Sequence, residues 1–549
     1  MAKKTSHYRQ STALVAAYVA GLQDHSVKGT AFDSAAATDF VSQSLDGNGV
    51  ATPETLKAVF AESDEKQVKM ITRAILDSAK NYREQHGFDA PADLLEHAMH
   101  MAYTTTKIAL DSSADSGHHA QLSLQPNRAV VAIMSAMSEA IPFAHYLPAD
   151  INSNEAKLAI MSHQAGNEFG GYAKGALMDG VSSGDRYIST SREHKCTILA
   201  DDITGKITAT QLTDETCDPS GAEVPLLRGR SIVYVNGAVA AREVSAGGTG
   251  PSNVSGQVKL EGTVHQISGT IDVDTGAIAL KATPAIDAAN EVLVEAFIDY
   301  ERNSDITPTV ITEVETFALY ANPWRVLTRQ SIDARTQMSS ELGLDPYSES
   351  VISIQAQFGN ERHYDVLRKA RRLAVSNQAA FDFNWVNRGD HRSRSDVWRD
   401  LSSVLGALSQ KMANDTMNHG ITHLYVGSYI GAQMHGLPTD IWTSSGIAER
   451  PGIFRLGRLF GKYDVYYSPK VINEAADGAT GEILCIGQAT DVTRNPFVLG
   501  DAVAPMVMPL SVNGDMKTGA AFYARNFTAV NPHKPSSMAC ARINVTNLI

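Results

Sequence analysis

The histidines are the residues whose spacing in this sequence is most similar to a metal-binding motif. The stretch "EHAMH" places His97 and His100 three residues apart on a predicted helix, and His118 and His119 follow. A zinc-protease helix carries its histidines four residues apart, with a glutamate directly after the first. Here Glu96 precedes the first histidine and the spacing is three. We therefore expect structural histidines and no metal site.

Two acidic loops have the composition of calcium loops but miss part of the ligand pattern. With Gly49 of "SLDGNGVATPET" at the turn position, Thr55 stands where a bidentate glutamate is needed. Asp272, Asp274 and Gly276 in "IDVDTGAIAL" fit a β-hairpin turn. The sequence has no GxxxxGK[ST] nucleotide loop and no GxSxG elbow. We predict no catalytic residue, no cofactor and a protein that is not an enzyme.

A run of basic side chains is the remaining candidate for chemistry. It crowds the end of a predicted long helix and continues beyond it. The patch consists of Arg368, Arg371, Arg372, Arg388, Arg392 and Arg394, with Lys369 and Arg399 beside it. One interpretation is favourable placement at a helix C-terminus together with surface ion pairs. The other is contact with phosphate or with an acidic neighbouring subunit, as an assembly surface or a DNA-facing surface.

Composition limits the class of protein. A chain of 549 residues holds several domains or one large fold with insertions. The net charge of -13 argues against a general nucleic-acid coat, which would be basic. The four cysteines form no CxxC pair and indicate free thiols in a reducing compartment. No apolar run reaches the roughly 20 residues that span a bilayer, so we expect no membrane partner.

The elements that must position these side chains follow from periodicity. Residues 1–125 show helical spacing, residues 126–190 are mixed, and residues 191–305 alternate in short β runs. Strands then give way to helix in residues 306–395, residues 396–500 are α/β in pattern, and residues 501–549 return to strands.

One predicted helix is unusually long. In "SELGLDPYSESVISIQAQFGNERHYDVLRKARRLA", Asp345 is placed to cap a helix and Pro346 fits its first position. The apolar stripe consists of Tyr347, Val351, Ile354, Phe358, Leu367, Ala370 and Ala374. A helix of about 28 residues would span roughly 40 Å, more than twice the average globular helix.

This helix and its surroundings resemble the spine region of major capsid proteins from large contractile-tailed phages. In that family a short "hGhD" turn, with h apolar, leads into the spine helix, and Gly343 and Asp345 match it here. Further on, "GIFRLGRLFGKYDVYYSPKV" is similar to the family's "GxLxGKYxVYhDxxh" strand pair. The matching residues are Gly457, Leu459, Gly461, Lys462, Tyr463, Val465 and Tyr466. Ser468 and Pro469 depart from the pattern, near a position where the family often has Asp.

The resemblance implies an α+β chain with the Hong Kong-type coat-protein fold. That fold has an N-terminal arm, an extended loop, a peripheral domain with the spine helix and an axial domain. The implied domains are a helical arm or scaffold-like segment (1–125), the N-arm and start of the extended loop (126–190), a β-rich insertion or extended-loop domain (191–305), the peripheral domain (306–395), the axial domain (396–500) and return strands of the peripheral domain (501–549).

The function implied is that of a major capsid protein, which self-assembles through hexamers and pentamers into an icosahedral shell around double-stranded DNA. Implied partners are further copies of the chain, scaffold, portal and decoration proteins, and packaged DNA on the inner face. The implied location is the virion capsid, assembled in the bacterial host cytoplasm. Alternatives are a vertex or minor capsid paralogue, a tail or baseplate component, and an encapsulin-like compartment shell.

Overall fold

The computed structural model describes residues 2–27, 34–47, 49–61, 63–112, 125–150, 153–244, 250–342, 346–384, 393–510 and 516–548. The chain forms two compact units. The first unit comprises Met1–Ile160 and Thr316–Ile549, and the second comprises Met161–Glu315. In chain order, the second unit is therefore an insertion in the first.

Helices make up the N-terminal part of the first unit. They are α1 (Ala2–Val27), α2 (Ser34–Leu45), α3 (Glu54–Ala61), α4 (Glu65–His86), α5 (Ala92–Ser112) and α6 (Gln125–Ser138). Local sequence sets the ends of α4. The backbone N–H of Asp64 donates to the Gln67 Oε1 atom at 2.8 Å, which satisfies an N-terminal donor. Gly87, with φ of 80°, ends the helix in the left-handed conformation that glycine adopts most easily.

The long helix is confirmed. After α7 (Ile332–Leu342), α8 runs over Pro346–Leu373 and has 28 residues. Of the predicted stripe, Phe358, Leu367, Ala370 and Ala374 are buried. The turn residues Gly343 and Asp345 and the side chain of Tyr347 lie outside the described residues.

A four-stranded sheet packs against α8. Its strands, in spatial order, are β1 (Ala144–Tyr146), β22 (Phe497–Leu510), β23 (Lys517–Val530) and β15 (Asn322–Ser331). The contact is aromatic: the ring centroids of Phe358 and Phe522 are 5.3 Å apart, and those of Phe358 and Trp324 are 5.1 Å apart. These edge-on and tilted rings fix α8 along the sheet.

A seven-stranded mixed sheet forms a second layer of the first unit. Its order is β16 (Gln378–Asp382), β24 (Cys540–Thr546), β21 (Thr480–Gly487), β17 (Ile421–Val426), β20 (Tyr463–Tyr467), β19 (Phe454–Leu459) and β18 (Trp442–Ser444). The associated helices are α9 (Arg394–Thr416), α10 (Ser428–His435) and α11 (Lys534–Ser537). The C-terminal strands are divided between the two sheets: β22 and β23 belong to the four-stranded sheet, whereas β24 joins the seven-stranded one. The assignment of residues 501–549 to the peripheral domain stays a prediction.

The N-terminal helices share one hydrophobic core with α8 and both sheets. Tyr18 of α1, Ile75 of α4 and Met99 of α5 belong to the same buried cluster as Leu367 and Leu484. Burial of large apolar side chains is the main favourable term in folding. Helices α1 to α5, within the segment 1–125 that was predicted as an arm or scaffold-like segment, thus contribute to the core of the first unit.

The second unit is built on a nine-stranded antiparallel sheet. In spatial order it contains β3 (Ser191–Lys195), β13 (Val292–Phe297), β8 (Ile232–Val235), β9 (Ala238–Glu243), β10 (Pro251–Leu260), β11 (Thr263–Asp272), β12 (Ala277–Thr283), β5 (Asp202–Lys206) and β4 (Thr197–Leu199), with β6 (Gln211–Thr213) and β7 (Thr216–Cys217) as a separate pair. The predicted hairpin turn at residues 272–276 is confirmed, because the Gly276 N–H donates to the Asp272 carbonyl at 2.9 Å between β11 and β12.

Two further strands each include one of the sequence positions at which the chain passes from one unit to the other. β2 (Glu155–Ala165) pairs with β14 (Val310–Tyr320) as a two-stranded sheet. Separate helices and largely antiparallel sheets make the chain α+β, as predicted. The four cysteines are free and buried, which confirms the prediction of free thiols. Among the described helices, none combines the length and the apolar character that crossing a membrane requires.

Candidate functional site

The C-terminal turns of α8 line a cavity of about 590 Å³ with cationic side chains. We call it the cationic cavity and define it by Arg368, Arg371, Arg372, Lys470 and Arg542. The first three residues share one helix face because they are three and four positions apart. Lys470 follows β20, and Arg542 lies on β24, opposite Leu484 of β21. Three separate segments of the first unit therefore bring their positive charges to one concavity.

Lys369 lies within the same run of sequence but points elsewhere. Its Nζ atom lies 2.6 Å from the Asp365 Oδ2 atom and 2.6 Å from the carbonyl oxygen of Thr528. The helix period thus separates Lys369, which is neutralised by a carboxylate one turn away, from the arginines that line the cavity.

Only part of the charge in the cationic cavity is compensated by the described residues. The Arg371 Nε atom lies 2.8 Å from the Oε1 atom of the buried Glu482. The Arg542 Nη2 atom donates to the neutral Gln378 Oε1 atom at 2.8 Å. In the described part of the chain, no carboxylate lies within 4.0 Å of Arg368, Arg372, Lys470 or Arg542. Such a concentration of positive charge favours an anion.

The cavity lining does not account for the rest of the predicted basic patch. Arg388 and Arg392 lie outside the described residues. Arg394 is the exposed first residue of α9 and is not among the residues that line the cavity. Arg399 is paired on the surface, with its Nη2 atom 2.7 Å from the Asp440 Oδ2 atom. The cavity therefore joins half of the predicted patch to two cations that the sequence reasoning missed.

The segment "GIFRLGRLFGKYDVYYSPKV", the second stretch with a capsid-protein resemblance, contains the hairpin of β19 and β20. Gly457 opposes Val465 across this hairpin. A Cβ atom at Gly457 would lie 2.2 Å from the Thr443 carbonyl oxygen and 2.7 Å from the Trp442 ring, so only glycine allows this approach. Gly461 lies in the turn with φ of 66°. Both glycines therefore have backbone roles.

The other motif residues pack the same hairpin onto the core. The Lys462 Nζ atom lies 5.1 Å from the ring centroid of Tyr463, which is buried. Tyr466 stacks on Tyr425 with centroids 5.3 Å apart, and its hydroxyl lies 3.0 Å from the His86 Nδ1 atom. The motif thus links the seven-stranded sheet to α4.

Sequence reasoning missed a buried charged cluster between α5, α8 and β22. The Asp501 Oδ2 atom lies 2.8 Å from the His97 Nε2 atom and 3.2 Å from the Arg362 Nη1 atom. Burial by itself raises the pKa of Asp501, but the Arg362 charge and the His97 hydrogen bond hold that pKa below its usual value. A signal was present, since Arg362 interrupts the apolar stripe one turn after Phe358.

Of the four histidines in the candidate metal motif, His97 is buried and His100 is partly buried, whereas His118 and His119 lie outside the described residues. His97 is engaged with Asp501, and burial lowers the pKa of His100 to about 4. Among the described residues, no group of three His, Cys, Asp or Glu side chains is arranged to hold a metal ion.

A second cavity, of about 630 Å³, lies between α4, α6, α8 and the loop before β19. Its lining includes His86, His363 and Glu139. Burial lowers the pKa of His86 to about 3 and that of His363 to about 4. Burial also raises the pKa of Glu139 to about 7, against the hydrogen bond from Ser135. The two histidines are therefore neutral at pH 7, whereas Glu139 is about half ionised there.

Comparison with known proteins gives matches only among solved structures. No family model matches the sequence, and no curated protein matches it. The jumbo bacteriophage PhiKZ capsid is 10% identical with a TM-score of 0.37, and the match covers 74% of this chain and 91% of that chain. The SrpI encapsulin of Synechococcus elongatus PCC 7942 is 12% identical with a TM-score of 0.29, covering 44% and 79%. The capsid of Myoviridae phage XM1 is 9% identical with a TM-score of 0.28, covering 44% and 78%.

Proposed function

We propose that this chain is a major capsid protein whose copies assemble through hexamers and pentamers into an icosahedral shell around phage double-stranded DNA. The proposal is supported by the order of the capsid-like motifs in the sequence and by their positions in the fold. The 28-residue α8 packs along β23, and the "GKYDVYY" segment forms the turn and second strand of a hairpin in the seven-stranded sheet.

The observation that carries the proposal is the apolar surface of β14. Val310 and Val314 lie on one face of this strand, because residues four apart in a strand point the same way. They are 52% and 49% exposed. Ile311, on the opposite face of the same strand, is 52% exposed as well. Three exposed apolar side chains within five residues of one strand favour an interaction surface.

The backbone of β14 supports the same conclusion. Within the described residues β14 pairs with β2 alone, so its other edge presents unpaired N–H and C=O groups. A two-stranded sheet is only marginally stable in water. Contact with a second copy of the chain would cover the apolar side chains and this edge. The same contact repeated in closed symmetry builds a shell.

The long helix fits a subunit that is partly covered by neighbours. Phe358, near the middle of α8, is buried, whereas Ile352, nearer its start, is 60% exposed. A helix that is packed along one half and open along the other keeps a defined shape while leaving a surface for another subunit.

The proposal assigns a structural and non-enzymatic role, located in the virion capsid and assembled in the host cytoplasm. It is supported by the engagement of His97, the strongest sequence candidate for metal chemistry, in a buried cluster with Asp501. Scaffold, portal and decoration proteins are proposed as further partners, with packaged DNA on the inner face.

Electron microscopy of the full-length chain expressed alone, with light scattering on the same sample, tests the proposal. We expect hexamers, pentamers or closed shells. The double variant Val310→Asp/Val314→Asp should give small oligomers or monomers with an unchanged circular dichroism spectrum. The matched control is Leu199→Asp/Leu212→Asp, which places the same charges on strand residues that are 69% and 62% exposed in the second unit.

Shells from the β14 variant as readily as from the control would overturn the assignment of that surface. Tubes or sheath-like rings would favour the tail or baseplate alternative. A copy number of only a few chains per virion would favour a vertex or minor capsid protein. Enzyme cargo inside shells that contain no DNA would favour an encapsulin-like compartment.

A further inference from the structure

We infer that the cationic cavity is a phosphate-binding site. The ligand chemistry is a multiply charged phosphate group, carried either by a nucleic-acid backbone or by free polyphosphate. The lining combines four guanidinium groups with one ammonium group, from Arg368, Arg371, Arg372, Arg542 and Lys470. The site would bind phosphate whether or not the chain assembles into a shell.

Placement at a helix end explains only part of this arrangement. Cations in the last turns of a helix interact favourably with its negative end. That reason applies to Arg368, Arg371 and Arg372 on α8. It does not apply to Lys470, which follows β20, or to Arg542, which lies on β24. Folding brings these two charges against three others at an electrostatic cost that an anion would offset.

Charge and geometry favour phosphate over a single carboxylate. The buried Glu482 already neutralises Arg371, so four positive charges remain among the residues that define the cavity. A phosphate group presents several oxygens, and planar guanidinium groups donate two parallel hydrogen bonds to them. One carboxylate could not satisfy donors from three separate elements.

The lining also disfavours an acidic protein segment as the occupant. Val471 is the apolar residue among those that line the cavity. Protein segments bind mainly through apolar or aromatic anchors in desolvated pockets.

The net charge of the whole chain restricts the binding of polyanions to this one site. With a net charge of -13, most of the surface repels a polyanion. Binding should therefore depend on these few cations and weaken steeply with salt.

Titration calorimetry of the full-length chain with inorganic tripolyphosphate and with a short DNA duplex tests the inference. Arg368→Gln/Arg372→Gln removes two exposed charges and should weaken tripolyphosphate binding by about 10- to 100-fold. Arg394→Gln/Arg399→Gln removes the same charge from exposed positions on α9, outside the cavity lining, and should change it less than twofold. If Arg368→Gln/Arg372→Gln alters the thermal melt, the single variant Lys470→Gln, at an exposed position, is measured in its place.

Each arm of the experiment has a defined meaning. Binding of both probes supports a nucleic-acid source. In that case the slope of log K against log salt concentration for the duplex should fall by about 1 for each cation removed. Binding of tripolyphosphate alone supports a free-phosphate source. Equal binding of polyglutamate, with the same loss in the variants, would overturn the inference in favour of an acidic protein partner. Absence of binding, or equal losses in the two double variants, would also overturn it.

Discussion

Neutralising Asp501 should destabilise the first unit far more than neutralising an exposed aspartate. Asp501 is 2% exposed and contacts both His97 and Arg362. Asp501→Asn keeps the size and shape of the side chain but removes its charge. Arg362, which is 6% exposed, would then be a buried cation without its counter-charge.

The expected magnitude follows from that geometry. Removing one partner of a buried ion pair costs about 3–5 kcal/mol, mainly because the other charge stays buried. The Arg362 Nε and Nη2 atoms have no hydrogen-bond partner among the described residues. Glu139 also faces Arg362, but burial raises the pKa of Glu139 to about 7, so it offsets only part of the charge. The control is Asp440→Asn, whose partner Arg399 is 54% exposed. It should cost about 0–1 kcal/mol.

Urea denaturation and amide hydrogen exchange would measure both variants. A chain of this size need not unfold in one step, so exchange of the amides in α5 and β22 reports the local opening directly. The double variant Asp501→Asn/Arg362→Met removes both charges and should recover much of the lost stability.

Equal midpoint shifts for Asp501→Asn and Asp440→Asn would refute this reasoning. So would a double variant that is less stable than Asp501→Asn, because the loss would then come from packing and not from an unpaired charge.

Two further predictions concern acid sensitivity and the hairpin motif. Burial lowers the pKa of His363 and of His423 to about 4, so below pH 6.5 the unfolded chain binds protons that the folded chain does not. Lowering the pH from 7 to 5 should cost about 2 kcal/mol for each histidine. Glu139 acts in the opposite direction: because burial raises its pKa, this one group stabilises the folded chain as the pH falls. His363→Gln should reduce the difference between urea midpoints at the two pH values, and an unchanged difference would contradict the assignment. Gly457→Ala should cost about 1–3 kcal/mol, because its Cβ would clash with the Thr443 carbonyl. Gly406→Ala, on α9 with no atom within 4 Å of its Cβ, should stabilise the chain by about 0.5–1 kcal/mol. Thermal melts that do not separate the two glycine variants would disprove this explanation.

The sequence was sufficient for features that depend on neighbours along the chain. The apolar stripe through Phe358, Leu367 and Ala370 predicted α8 and its length, because helical periodicity is a local property. The turn at Asp272 and Gly276 was predicted for the same reason, since turn conformations depend on a few adjacent residues.

Contacts between distant segments were decided only by the tertiary structure. His97 and Asp501 are 404 positions apart, and Arg362 and Asp501 are 139 apart. The spacing of residues within each segment carries no information about these pairings. The sequence likewise placed Arg368 and Arg372 together, but the cationic cavity exists because folding brings Lys470 and Arg542 beside them. Periodicity determines which face of an element is apolar, and the packing of whole elements determines which charges meet.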